Sequence, residues 1–115
     1  MMEIQDVDYT VFFDEENNTL FMKGIIRLSS FRKYDEIKKL LLLSANKVKK
    51  ELILDLQDLI YLNSSGITTV STFVIYLRKE NSIRLKVLGS KKYPWQERAL
   101  GNLKKLWGDI IVIFE

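Results

Sequence analysis

Apolar and polar residues alternate over two early segments of the chain. The alternation covers Tyr9–Asp14 and then Thr19–Arg27, and it predicts two half-buried strands. The four residues between them, Glu-Glu-Asn-Asn at positions 15–18, are typical of a turn. The start of the chain is therefore expected to form an antiparallel hairpin.

Three later segments carry apolar residues at helical spacing. Such spacing gives a helix one apolar face, which packs on the rest of the protein. The predicted helices run from Phe31 to about Val48, from Ser64 or Ser65 to about Asn81, and from Pro94 or Trp95 to Trp107. Trp95 and Trp107 fall on the apolar face of the last helix and are expected to belong to the core rather than to a binding surface.

Short apolar runs alternate with these helices. They predict strands at Glu51–Leu56, Ile83–Leu88 and Ile110–Phe114, and the run Leu52-Ile53-Leu54 is typical of a strand buried on both faces. The element order is then ββαβαβαβ. Alternating strands and helices predict parallel pairing, and the leading hairpin makes the sheet mixed. Residues 1–115 are thus expected to form a single α/β domain with helices packed on a mixed sheet.

Length and composition agree with one globular domain. The 115 residues are 47% apolar and 29% charged. No apolar run approaches the roughly 20 residues that cross a bilayer, so no membrane contact is expected. The first residues lack the basic and apolar regions of a secretory signal, so the expected compartment is the cytoplasm.

Two missing residue types narrow the chemistry. The chain has no cysteine and no histidine, which excludes thiol catalysis, disulfides and a Ser-His-Asp triad. It also has no Asp-x-Asp cluster and no glycine-rich phosphate loop. We therefore expect no metal, no cofactor and no enzymatic activity.

The net charge of +3 is mildly basic. Acidic residues interrupt the lysines and arginines, so the pattern indicates a solvated surface more than a nucleic-acid interface. Nucleic-acid binding remains an alternative that would show steeply salt-dependent affinity.

The segment from Asp55 to Thr68 is the most informative. It predicts the end of an apolar strand, a short polar loop, and then Ser64, Ser65 and Gly66 opening a helix. Helix N-termini carry unpaired N–H groups and a partial positive charge, which favour a phosphate or another anion. A serine at such a place is a candidate for reversible phosphorylation, which indicates a switch protein more than a catalyst.

These residues resemble the STAS superfamily of bacterial anti-sigma factor antagonists. Members show an apolar strand ending in Asp-Leu and, a few residues later, Asp-Ser-Ser-Gly-Leu-Gly at a helix start. The matching residues are 52–56 (Leu-Ile-Leu-Asp-Leu), 63–68 (Asn-Ser-Ser-Gly-Ile-Thr) and the later strand 85–89 (Leu-Lys-Val-Leu-Gly). The chain looks similar to a stand-alone subfamily that carries Asn-Ser-Ser-Gly and a Pro-Trp-Gln segment, here residues 94–96.

The resemblance implies a partner-switching role. In the family, the serine before the glycine accepts phosphate, and that position is Ser65. A kinase of the histidine-kinase-like ATPase fold adds the phosphate and a PP2C-type phosphatase removes it, while the unphosphorylated form binds the kinase and frees a target, often a sigma factor. The implied partner and kinase contacts are Asp55, Asn63, Ser64, Gly66, Ile67 and Thr68.

Two positions depart from the family pattern. Asn63 replaces the usual acidic residue and Thr68 replaces a glycine. Asparagine keeps the ability to cap a helix but carries no charge.

Plainer explanations exist for three of these residues. Ser65 could only satisfy backbone N–H groups at the helix start, and Asp55 could only stabilise the loop after its strand. Gly66 could ease the turn or allow close approach of a partner backbone.

Two further questions stay open on the sequence alone. The leading alternative function is a STAS-type sensor of a nucleotide or lipid without phosphorylation. The expected oligomeric state is a monomer or a weak homodimer, since a mixed sheet can leave an edge strand exposed.

Overall fold

A computed structural model describes residues 2–115 and arranges them as seven strands and three α-helices. The strands are β1 (Glu3–Gln5), β2 (Tyr9–Asp14), β3 (Thr19–Ile26), β4 (Glu51–Asp55), β5 (Leu59–Leu62), β6 (Arg84–Gly89) and β7 (Ile111–Phe114). The helices are α1 (Asp35–Lys47), α2 (Ser64–Glu80) and α3 (Pro94–Leu106), and a 3₁₀ turn at Phe31–Tyr34 precedes α1.

All seven strands form one mixed sheet. Its order is β1-β2-β3-β4-β6-β7, and β5 lies outside this path, paired with β3. The pairs β1–β2 and β2–β3 are antiparallel, whereas β3–β4, β3–β5, β4–β6 and β6–β7 are parallel. The expected fold class, an α/β mixed sheet with a leading hairpin and helices packed on it, is confirmed.

Strand β3 pairs with two different strands along its length. Its first residues, 19–21, pair with residues 53–55 of β4, and its last residues, 24–26, pair with β5. The register shifts between Gly24 and Ile25, where Gly24 has φ of +94° and a Cβ would collide with Asp8 O. Glycine is needed at this bend because other residues disfavour that φ and a side chain would not fit.

The structure adds two strands to the predicted order. β1 is a three-residue edge strand, too short for periodicity to show. β5 falls in the segment predicted to be a polar loop, and only its two end residues are buried. Tertiary contacts, described below, hold β5 in place. The first predicted helix also starts later, because residues 31–34 form the 3₁₀ turn.

The two faces of the sheet differ in what covers them. On β4, Leu52 and Leu54 are fully buried and belong to the core that the helices cover, together with Leu20, Met22 and Val87. Ile53 and Asp55 alternate with them and point to the other face, where they are half-buried. All three α-helices therefore pack on a single face, and the strand run predicted to be buried on both faces is buried on one.

The two tryptophans predicted on the last helix differ in burial, and Trp107 follows directly after α3. Trp107 is buried in the core, and Trp95 is half-buried against it. The indole N–H of Trp95 donates to the carbonyl oxygen of Ile60 in β5 at 2.7 Å. The start of α3 is thereby attached to the strand that leads into α2.

Candidate functional site

Asn63 caps the start of α2. Its side-chain Oδ1 accepts a hydrogen bond from the Gly66 N–H at 3.1 Å, and its carbonyl oxygen accepts from the Ile67 N–H at 2.9 Å. The bond from Gly66 satisfies one of the orphan donors of the first helical turn, and the bond from Ile67 is the first regular hydrogen bond of the helix. Asn63 is the capping residue, although two serines follow it directly in the sequence.

Asn63 also joins α2 to the segment between β3 and α1. Its Nδ2 donates to the carbonyl oxygen of Leu28 at 2.9 Å, its backbone N–H donates to Ile26 O at 3.2 Å, and its Oδ1 accepts from the buried Tyr34 hydroxyl. An aspartate could accept these bonds but could not donate to Leu28. The asparagine found where the STAS pattern has an acidic residue is therefore matched to its surroundings.

The two serine hydroxyls remain free. Among residues 2–115, neither Ser64 Oγ nor Ser65 Oγ makes a hydrogen bond, and Thr69 Oγ1 bonds only to the Ser65 carbonyl, at 2.9 Å. Ser64 is exposed and Ser65 is half-buried. The plain role of a helix-capping serine thus belongs to neither residue. The first turn of α2 contains no acidic side chain, so its partial positive charge is not neutralised there.

Ser64 and Ser65 lie on different faces of α2. Ser65, Thr69, Thr72 and Tyr76 share one face by their helical spacing, and the last three line a small apolar groove of about 140 Å³ beside α1. Ser64 lies on the other side, in an open groove of about 480 Å³ next to α3.

The larger groove mixes apolar and polar side chains. Ile67 and Trp95 form part of its wall, and Arg98 and Asn102 of α3 supply its polar groups. Within the described part of the chain Arg98 makes no ion pair. This groove brings the exposed serine of the helix start close to a free cation.

Gly66 is buried against the protein itself. A Cβ there would overlap the Leu62 side chain and lie 2.7 Å from the Tyr34 hydroxyl oxygen. The close approach that this glycine allows is therefore internal, between α2, the end of β5 and the 3₁₀ turn. Its part in the site is to let Tyr34 reach Asn63.

The remaining predicted contact residues do not form one cluster. Ile67 is half-buried in the larger groove and Thr68 is exposed beside it on α2. Asp55 lies on the face of the sheet that the helices leave open, where its carboxylate accepts from the Gln57 backbone N–H at 2.9 Å and from Gln57 Nε2 at 3.2 Å. The structure therefore brings Asn63, Ser64, Ser65, Gly66, Ile67 and Thr68 together and separates Asp55 from them.

Gln96 supports the site, although the sequence drew attention to it only as part of the Pro-Trp-Gln segment. It is fully buried, and its Nε2 donates to Leu56 O at 2.7 Å and to Leu59 O at 2.9 Å. Its Oε1 accepts from the Ser90 N–H at 2.8 Å. One side chain of α3 thus fixes both ends of the turn between β4 and β5. No local signal shows this role, because its partners lie up to 40 residues away.

Because Tyr34 is buried, deprotonation of its hydroxyl at high pH affects the stability of the domain. Desolvation raises the Tyr34 pKa above 10.0, against the opposing effect of the hydrogen bond from the Leu28 N–H. The folded protein therefore holds this proton more tightly than the unfolded chain does. The resulting stabilisation is complete below pH 10 and is lost as the pH rises through the folded-state pKa.

Replacing Tyr34 with phenylalanine tests this linkage. We expect a loss of about 1 kcal/mol at pH 7, from the missing bond to Asn63, and a smaller further loss above pH 10 than in the wild type. Urea unfolding at pH 7 to 11 measures both quantities, with the exposed Tyr76→Phe as the control. Parallel stability curves for wild type and Tyr34→Phe would contradict the assignment.

Two other kinds of feature are absent from the described residues. Within residues 2–115, no three acidic side chains come together in a way that could hold a metal ion. None of the helices in this range is long and apolar enough to span a bilayer.

The fold matches solved structures from Pseudomonas aeruginosa. A chain in the crystal structure of the diguanylate cyclase SiaD in complex with its activator SiaC superposes with a TM-score of 0.75 at 13% identity, covering 100% of both chains. SiaC itself matches with a TM-score of 0.63 at 16% identity over 97% of this chain and 93% of that one. Apo-SiaC gives 0.65 at 13% identity over 100% and 99%.

The chain shares the fold of SiaC. At these identities the likeness concerns the fold, and it is consistent with the STAS-like architecture that the sequence resemblance implies. No known family model matches the sequence, and no curated protein matches it.

Proposed function

We propose that this domain is a regulatory protein-interaction module whose partner binding is switched by phosphorylation of Ser65. The observation that carries the proposal is the free Ser65 hydroxyl at the start of α2, where Asn63 already caps the helix. A hydroxyl that is not needed for the fold can be modified while the domain stays folded.

A phosphate at Ser65 would suit its surroundings electrostatically. It adds about −1.5 to −2 charges, which the N-terminus of α2 favours. No acidic side chain of the first turn opposes it. The switch would act by changing the charge of a docking surface rather than by unfolding the domain.

The proposed partners follow from the STAS resemblance. A histidine-kinase-like ATPase would bind the unphosphorylated form and modify Ser65, and a PP2C-type phosphatase would restore it. SiaC, which shares this fold, is the activator of the diguanylate cyclase SiaD, and by analogy we propose that the form of this chain released from the kinase acts on an effector enzyme. We assign this chain no catalytic step of its own, in keeping with its lack of histidine and cysteine.

Binding with Ser65 variants tests the proposal. Wild type and Ser65→Ala should retain an ATPase of this class from lysate of the native cell, and Ser65→Asp should lose at least a factor of about ten in affinity, which equals 1.4 kcal/mol. Intact-mass analysis of the protein purified from its own cell should show a phosphate, and peptide mapping should place it on Ser65.

The neighbouring serine provides the matched control. Ser64→Asp introduces the same charge one residue earlier, on the side of α2 that faces Arg98. A switch at Ser65 predicts a weaker effect from this change. An unmodified protein whose partners bind all variants alike would refute the proposal and favour ligand sensing, for which a ligand-induced rise in melting temperature is the readout.

A further inference from the structure

The sheet face opposite the helices is uncovered over residues 2–115. Ile111 and Ile113 of β7 are 44% and 38% exposed, and neither packs against the core. The apolar side chains on this face include Phe12, Phe21, Ile53, Leu88, Ile111 and Ile113. Charged side chains share the face: Lys23 lies over the rings of Phe12 and Phe21, and Glu51 and Arg84 form the row before Ile53 and Lys86. Scattered exposed apolar residues are normal, but a contiguous patch marks an interaction surface.

The strand registers show that most of this patch is contiguous. Ile53, Lys86 and Ile111 lie side by side across β4, β6 and β7. Asp55, Leu88 and Ile113 form the next row on the same face, since side chains at every second position share a face.

The two rows form a block of four apolar residues and two opposite charges. Lys86 and Asp55 occupy diagonal positions in it and form no ion pair with each other in the described structure. A surface with this arrangement is complementary to itself.

We propose that this open face binds the same face of a second copy of the chain. A two-fold axis lying in the interface and running over Ile53 and Leu88 exchanges the positions of Lys86 and Asp55. Each lysine then faces the partner subunit's Asp55, and each aspartate faces the partner subunit's Lys86. The two sheets cross nearly at right angles, which is one of the two common modes of sheet packing.

Charge complementarity selects this occupant over an unrelated protein. One two-fold contact places an opposite charge against Lys86 and against Asp55, whose carboxylate also accepts two hydrogen bonds from Gln57, and it covers the apolar residues around them. The face from β2 to β7 measures roughly 20 Å in each direction, from strand spacing and rise per residue. That is small for a stable interface, so the dimer is expected to be weak, with a micromolar dissociation constant.

Sedimentation at increasing concentration tests the proposal. The wild-type mass should rise from that of one chain toward twice that value, and Ile113→Glu should remain monomeric at every concentration. Leu43→Glu is the matched control, because Leu43 is similarly exposed, at 48%, but lies on α1. Circular dichroism and thermal unfolding establish that each variant folds.

A charge exchange identifies the partner as a second copy. Lys86→Asp alone and Asp55→Lys alone place like charges against each other, so each variant should be monomeric. An equimolar mixture should form a one-to-one heterodimer, because both cross-interface pairs again have opposite signs. If Asp55→Lys does not fold, Ile113→Glu still decides the case.

Two outcomes would overturn the proposal. One is a wild-type protein that stays monomeric at millimolar concentration, in which case the face binds something other than this chain or nothing. The other is a dimer that persists in Ile113→Glu. Neither outcome bears on the switch at Ser65, since α2 covers the opposite face of the sheet.

Discussion

Replacing Gln96 with methionine is expected to lower the free energy of unfolding by about 3 kcal/mol. Methionine has nearly the same shape, so packing is preserved while the hydrogen bonds are lost. The change removes the side-chain bonds to the carbonyl oxygens of Leu56 and Leu59 and to the N–H of Ser90. Leu56 O keeps the bond from the Leu59 N–H at 3.0 Å, whereas Leu59 O and the Ser90 N–H lose the partner that Gln96 supplied. An unsatisfied buried polar group costs roughly 1–3 kcal/mol, and Leu56 and Leu59 are fully buried.

The effect of Gln96→Met should extend beyond α3. Its side chain fixes the turn between β4 and β5, and β5 leads directly into the start of α2. Hydrogen exchange should therefore be faster at Ile60, Tyr61 and Leu62 than in the wild type, as well as at Ser90.

Gln57→Met is the control for this substitution. Gln57 is half-buried, and its amide donates only to Asp55, at 3.2 Å. We expect a change within about 0.5 kcal/mol, as for most surface substitutions. Urea unfolding of the three proteins gives the comparison, and equal losses for the two variants would show that the buried bonds of Gln96 contribute little.

Replacing Gly66 with alanine is expected to destabilise the domain by about 2 kcal/mol. Alanine is normally the better helix residue by about 1 kcal/mol, so the intrinsic preference of α2 opposes this result. The new Cβ, however, would overlap Leu62 and come within 2.7 Å of the Tyr34 hydroxyl oxygen. Overpacking of this kind costs about 1–3 kcal/mol, and displacing the tyrosine removes its bond to Asn63.

Gly101 offers a matched control within the same protein. It lies in α3, and a Cβ there would have no neighbour within 4 Å. Gly101→Ala should therefore raise the free energy of unfolding by about 0.5–1 kcal/mol. Opposite signs for the two variants in the same denaturation assay are the expected result. Stabilisation by Gly66→Ala would mean that the packing between Leu62, Tyr34 and α2 is loose.

Periodicity predicted the elements that have one apolar face or a buried run. The hairpin strands, β4, β6 and β7 were placed within one residue at either end, and α2 begins at Ser64 as one of the two predicted starts. The prediction is correct for these segments because buried residues recur in them at regular intervals. The fold class followed from their order.

What the sequence could not show are the contacts between distant segments. β5 is held by Trp95 and Gln96, which lie 35 to 40 residues further along the chain. Tyr34 reaches Asn63 across 29 residues. No periodic pattern reports such bonds, so periodicity places Tyr34 only within the first predicted helix and predicts a loop where β5 lies.

The candidate site was predicted at the level of its position. Spacing predicted the helix start at Ser64 or Ser65, and the family resemblance singled out Asn63 and the two serines. The structure adds that Asn63 is the cap and that neither serine hydroxyl takes part in capping. The structure separates Asp55 from this cluster because alternate residues of β4 face opposite sides of the sheet. The order of residues in a motif does not show to which face of the sheet a side chain points.

The pairing of β3 with β4 has a consequence for synthesis of the chain. The β2–β3 hairpin is complete at Ile26, but the strand that lies beside it begins only at Glu51. At translation rates of about 5–20 residues per second, the hairpin emerges more than a second before that neighbour. During this interval Leu20 and Met22 have neither β4 nor α2 to cover them, so the nascent hairpin exposes apolar side chains that a chaperone would protect.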